Sequence, residues 1–168
     1  MNCIRILALS SLAGAWIASG QHHDMDKCPM MQDHKMETRG DQAMGFSHEK
    51  TAHHFLIFKD GGAIEVEAND ANDDASRDQI RQHLSHIAKM FSEGDFKTPM
   101  LIHDQTPPGV EIMQRRKGEI KYAYETTDRG ARVRISTKNE DAGSAVHDFL
   151  RFQISEHKTG DPTEIAPQ

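Results

Sequence analysis

The stretch HFLIFKDGGAIEVE, residues 54–67, decides the fold that we expect of this 168-residue chain. Two runs rich in apolar, β-branched and aromatic residues flank a Lys-Asp-Gly-Gly sequence, a pattern that predicts a β-hairpin. Apolar residues then recur at helical spacing over residues 75–92, which predicts a helix. Ser76 and Gln79 have the spacing of a capping box at its start, and Gly94 follows its end. This part of the sequence therefore predicts a ββα unit.

The same pattern recurs after a linker over residues 96–117. Strands are predicted over residues 120–125 and 131–137, and a second helix over residues 141–158. A shift of 66 residues superposes Ile80 on Val146, Leu84 on Leu150, Ala88 on Ile154 and Gly94-Asp95 on Gly160-Asp161. The fold class that follows is α+β, a duplicated ββα-linker-ββα arrangement in which one antiparallel sheet has two helices packed on one face. Joining the hairpins buries an apolar face that neither unit buries alone.

The start of the chain has the pattern of an export signal. Arg5 supplies a positive charge, residues 6–17 form a short apolar core, and Ala18-Ser19-Gly20 offers small residues for cleavage. The following tract is polar and nearly free of β-branched and aromatic residues, so burial is not expected to offset its ordering entropy. We therefore assign residues 1–20 to a signal peptide, 21–48 to a disordered Met- and His-rich tract, 49–162 to a single α+β domain and 163–168 to a flexible tail. The expected location is periplasmic or secreted.

The composition of the chain argues against several classes of binding partner. The formal net charge is −6, which argues against nucleic acid and against anionic lipid. No later segment approaches the roughly 20 apolar residues that span a bilayer, so no membrane insertion is expected after signal cleavage. Cys28 is the only cysteine left in the mature chain, which excludes an intramolecular disulfide. Such a lone thiol is a metal ligand, a reactive or pairing thiol, or an accident of sequence.

Eleven histidines occur in the chain, and several lie at spacings that suggest a site. Imidazole is the commonest protein ligand of transition metals and titrates near neutral pH. His83 and His86 are three residues apart on the predicted first helix, so they share a face and could hold one ion together. His53 or His54 on the first strand and His103 in the linker are the expected completing ligands. The alternative for each single histidine is a hydrogen-bonded packing residue.

Two further histidines lie on the predicted second helix. His157 shares the apolar stripe, and His147 lies at its edge. They are nearly three turns apart, which is too far for one mononuclear site. His53 and His54 are neighbours on a strand and must point to opposite faces of the sheet, so only one of them can face the helices.

The Met- and His-rich tract carries a second set of candidate ligands. Five of the nine methionines lie within it. Thioether and thiolate are soft ligands that select Cu(I), and cleavage after Gly20 would place a histidine third in the mature chain, a square-planar site for Cu(II) or Ni(II). The candidate metal ligands in this tract are His22, His23, Met25, Cys28, Met30, Met31 and His34. The alternative is a low-complexity spacer.

Four segments together resemble a family of small exported bacterial proteins. They are GFSHEKTAHHFLIFKDGGAIEVEAND, SRDQIRQHLSHIAKMF, HDQTPPGV and HDFLRFQISEHKTGDP, and the resemblance covers roughly residues 45 to 162. Some members of that family carry the label aspartate carbamoyltransferase. This chain is too short for two α/β domains and lacks a Ser-x-Arg-Thr phosphate-binding loop, so we reject that activity. The resemblance implies export and leaves the mechanism open.

The expected function is periplasmic binding, sequestration or delivery of a transition metal. Copper is the expected ion and zinc is a weaker alternative, because the scattered ligands lack a finger-like spacing. The expected partners are the metal ion and a periplasmic metal donor or acceptor protein. Two alternatives stay open, a metal-dependent enzyme acting on a small molecule and a protein-interaction module whose histidines sense pH. A role without catalysis is favoured, with no catalytic residue assigned.

Overall fold

The computed structural model describes residues 29–165, and these form one antiparallel sheet with helices around it. In chain order the elements are α1 (Pro29–Met44), β1 (Thr51–Phe58), β2 (Gly61–Ala68), α2 (Asp74–Ser92), α3 (Lys97–His103), α4 (Val110–Arg115), β3 (Ile120–Thr126), β4 (Gly130–Thr137) and α5 (Glu140–His157). Short 3-10 turns precede β1 and β3. The predicted signal peptide and residues 21–28 of the tract lie outside the described residues.

The sheet confirms the duplicated arrangement. Its strand order is β1-β2-β4-β3, so each hairpin contributes one edge strand and one central strand, and β2 pairs with β4 antiparallel. Phe55, Ile64 and Val133 are successive cross-strand neighbours, and all three are buried. Leu84 of α2 and Leu150 of α5 complete the same apolar core. Both long helices therefore cover one face of one sheet, as the sequence predicts.

The first hairpin is tighter than the sequence indicates. Gly61 and Gly62 were expected in the turn, but β2 begins at Gly61 and the turn consists of Lys59 and Asp60. A Cβ on Gly61 would lie 2.3 Å from the carbonyl oxygen of Ile135, and the φ of Gly61 is +140°. Gly61 is required because β4 approaches the backbone closely at this point, and Gly62 because a Cβ there would meet Leu56 of β1 and Leu150 of α5.

The start of α2 also differs in detail from the prediction. Its N-cap is Asp73, whose carboxylate accepts from the backbone N–H of Ser76 at 3.0 Å and from the Ser76 hydroxyl at 2.8 Å. The expected capping box with Ser76 at the N-cap is therefore wrong. An aspartate at this position satisfies a free N–H of the first turn and places a negative charge at the positive end of the helix dipole.

Much of the tract that was expected to be disordered is helical. Residues 29–44 form α1, so the prediction of disorder is wrong for residues 29–48. The helix differs from the expected disorder because of one aromatic residue. Phe46 is only 5% exposed and joins the core. Arg39 Nε also donates to the carbonyl oxygen of Ile102 at 2.9 Å and ties α1 to α3. A mostly polar segment is thus ordered by anchoring at its C-terminal end.

Within residues 29–165 no helix has both the length and the apolar character needed to cross a membrane.

Candidate functional site

Four histidines from four different elements line one cavity of about 70 Å³. They are His53 of β1, His83 of α2, His103 of α3 and His157 of α5. Apart from these histidines, Thr98 and Gln153, the wall is apolar, with residues such as Phe55 contributing. The sheet, the two long helices and the linker therefore meet at this cavity.

Local structure explains how each imidazole reaches the cavity. His53 lies two residues before Phe55, so both side chains point from β1 to the helix-covered face. His83 precedes Leu84 at the edge of the buried stripe of α2. His157 follows Ile154 by three residues and therefore extends the buried stripe of α5 into its last turn. His103 is the last residue of α3.

Three of the four imidazoles form a continuous contact. The ring centroids of His53 and His157 are 5.9 Å apart with the planes 9° from parallel. Those of His103 and His157 are 5.1 Å apart in an edge-to-face arrangement. His83 is joined to this group through Phe46, whose ring lies 5.6 Å from that of His83 and 6.1 Å from that of His53. Phe46 thus packs between two imidazoles.

His103 is held in one tautomer by a buried neighbour. Its Nε2 lies 2.9 Å from Oε1 of Gln153, and because a carbonyl-type oxygen only accepts, the imidazole donates from Nε2. Nδ1 consequently carries a lone pair, and within residues 29–165 it has no hydrogen-bond partner although the side chain is only 1% exposed. The nearest carboxylate oxygen, Oε2 of Glu156, lies 3.9 Å from Nδ1. A hydrogen bond that fixes the tautomer and leaves the other nitrogen bare is typical of metal-binding histidines.

Burial keeps these imidazoles neutral. Desolvation, with smaller contributions from the neighbouring imidazoles His83, His54 and His48, lowers the pKa of His53 to about 4. Desolvation likewise lowers the pKa of His83 to about 4 and that of His157 to about 3, with neighbouring imidazoles adding to both shifts. The pKa of His103 is also lowered, chiefly by burial. At neutral pH the ring nitrogens therefore keep their lone pairs, which metal binding requires.

The structure brings together part of the predicted set. His53, His83 and His103 line the cavity, and the prediction that only one of His53 and His54 faces the helices is confirmed. His54 points to the opposite side, where its Nδ1 lies 3.0 Å from Oδ1 of Asp161. His86 is exposed and does not line the cavity, so the structure does not bring it together with His83 there.

His157 is the ligand candidate that sequence reasoning missed. The sequence placed it on the buried stripe of the second helix but compared it only with His147. His147 is a packing residue in the structure, since its Nε2 donates to the carbonyl oxygen of Phe58 at 2.8 Å. Gln153 was missed as well, although it lies on the same stripe four residues before His157. The sequence did contain a signal for this pair. Gln153 and His157 are two polar residues at helical spacing on one buried stripe.

The candidate ligands of the tract are only partly covered by the structure. His22, His23, Met25 and Cys28 lie outside the described residues, while Met30, Met31 and His34 belong to α1. Met44, at the C-terminal end of α1, lines the cavity.

The described part of the chain contains no group of three or more His, Cys, Asp or Glu side chains placed to hold a metal ion. The contacting imidazoles of the cavity have not converged on a single point. Comparison of the chain with protein-family models, with curated proteins and with solved structures gives no match.

Proposed function

We propose that this protein is an exported copper-binding protein that captures the ion at the imidazole-lined cavity and stores it or passes it to a partner protein. One observation carries the proposal, namely that His53, His157 and His103 contact one another as neutral imidazoles from three separate elements. Among the described residues Nδ1 of His103 is buried without a hydrogen-bond partner, which is costly, and a bound cation would offset that cost.

The spacing of the rings supports a shared ion. A metal–nitrogen bond is about 2.0 Å long, so two imidazoles on one ion have ring centroids roughly 5–6 Å apart. The separations of 5.9 Å for His53 and His157 and 5.1 Å for His103 and His157 lie in this range.

The ligand types favour copper over zinc. Imidazole with thioether suits Cu(I), and the thioether of Met44 lines the same cavity. The soft ligands predicted in residues 21–48 would extend this chemistry by delivering the ion to the cavity. Export to the periplasm, expected from the first 20 residues, belongs to the same proposal.

Competition titrations with Cu(I), Cu(II) and Zn(II) on the full chain test the proposal. We expect Cu(I) to bind more tightly than micromolar, and His157→Gln or His53→Gln to weaken it at least tenfold. His86→Gln is the matched control on an exposed face and should leave the affinity unchanged. Each variant is made in a protein that also has Cys28→Ser, which removes the thiolate of the tract. The change in Cu(I) affinity then reports on the cavity. Equal Cu(I) affinity in wild type and in both cavity variants would refute the proposal.

A further inference from the structure

The same cavity has an apolar wall that a metal site does not use. Its wall is built largely from apolar side chains of the sheet and the long helices, namely Phe55, Ile64, Val66, Leu84, Phe91 and Phe149. Gln153 of α5 lies in this wall and is only 4% exposed. A buried primary amide in apolar surroundings is uncommon, and each of its hydrogen-bonding groups requires a partner.

Only half of that amide is satisfied by the protein. Oε1 of Gln153 accepts from Nε2 of His103 at 2.9 Å, which fixes the orientation of the amide. Nε2 of Gln153 is buried and has no partner among the described residues. Two N–H donors are therefore held rigidly at the wall of an apolar cavity. An acceptor atom brought by a ligand is the complement of this arrangement.

The cavity also limits the charge and the size of that ligand. Among the described residues that line it, none is Lys, Arg, Asp or Glu. A charged ligand would lose its hydration without gaining a counter-charge, so the ligand is uncharged. A volume of about 70 Å³ is about half of the roughly 150 Å³ that holds benzene in an apolar cavity, which corresponds to a molecule of about three or four non-hydrogen atoms.

We propose that the cavity binds a small uncharged carbonyl compound, a ketone, aldehyde or amide. Its oxygen accepts from the Gln153 amide, and its hydrocarbon part packs against the apolar wall. This inference goes beyond the proposed copper binding and does not depend on it. It is tested on protein kept free of metal with a chelator, so the two proposals fail separately.

A pair of probes with the same shape isolates the hydrogen bond. Acetone and 2-methylpropene differ only in that C=O is replaced by C=CH2, and NMR titration of the labelled full chain gives both dissociation constants. We expect the dissociation constant of the ketone, relative to that of the hydrocarbon, to rise at least tenfold when Gln153 is replaced by Met. Methionine has a similar size and no hydrogen-bond donor. Comparing ratios cancels the different hydration of the probes. Gln82→Met, at an exposed position of α2, is the control and should keep the wild-type ratio.

The side-chain amide resonances of Gln153 in the wild-type protein give a second readout that does not require a folded variant. Acetone should shift them strongly, and 2-methylpropene should shift them much less. The proposal is overturned by the absence of binding of acetone, by a ratio that is the same in wild type and Gln153→Met, or by amide resonances that respond equally to both probes.

Discussion

Lowering the pH from 7.5 to 5.5 is expected to reduce the free energy of unfolding by about 4 kcal/mol. His53 and His83 have a pKa of about 4 in the folded protein and His157 a pKa of about 3, whereas all three return to about 6.5 on unfolding. The unfolded chain therefore binds more protons below pH 6.5, so stability is complete above that pH and falls as the pH decreases.

The magnitude follows from the size of the shifts. Each group contributes about 1.4 kcal/mol for every pH unit below 6.5 until its folded pKa is reached. At pH 5.5 three such groups together contribute about 4 kcal/mol, a large fraction of the roughly 5–15 kcal/mol that stabilises a typical domain. His103, whose pKa is also lowered, acts in the same direction.

Urea unfolding at pH 7.5, 6.5 and 5.5, followed by circular dichroism, measures this dependence. A pH of 5.5 still lies well above the pKa values of about 4 at which Asp and Glu titrate in unfolded chains, so the experiment isolates the imidazoles. His157→Gln should reduce the loss of stability by about one third, and His86→Gln, at an exposed position, should leave it unchanged. A change of less than about 1 kcal/mol in the wild-type protein would refute the reasoning.

Three substitutions test the packing around the site. Phe46→Ala should lower the free energy of unfolding by about 3 kcal/mol, because it removes a buried ring from between two imidazoles, and a urea titration that shows less than 1 kcal/mol would contradict this. Gly62→Ala should destabilise the protein by about 2 kcal/mol or more, since its Cβ would lie 2.3 Å from a carbonyl oxygen of the neighbouring strand. Thermal unfolding of this variant should show a lower midpoint temperature. Gly118→Ala is the control, and it should change the midpoint much less because the space around its Cβ is open. Asp161→Asn should cost about 1–2 kcal/mol, because the carboxylate accepts from the backbone N–H of Phe55 at 2.9 Å, and faster exchange of that amide hydrogen would locate the effect.

Local patterns were sufficient for the two ββα units of the fold. Alternation and glycine placement predicted the hairpins, and helical spacing together with the internal repeat predicted α2 and α5 on one face of the sheet. The same patterns failed where a single contact decides the outcome. Phe46 orders a polar tract that its average composition marks as disordered, and Asp73 rather than Ser76 caps α2.

The sequence by itself determined that β1, α2, the linker and α5 each present a histidine, and that His53 and His54 point to opposite sides of the sheet. Only the tertiary structure decided that His157 of α5 lies against His53 of β1 and His103 of α3, while His86 stays in solvent. Periodicity fixes the face of an element on which a residue lies, because it reflects the local geometry of helix or strand. The distance between faces of different elements is set by how the whole core packs. The spacing of residues within one element therefore does not predict that distance.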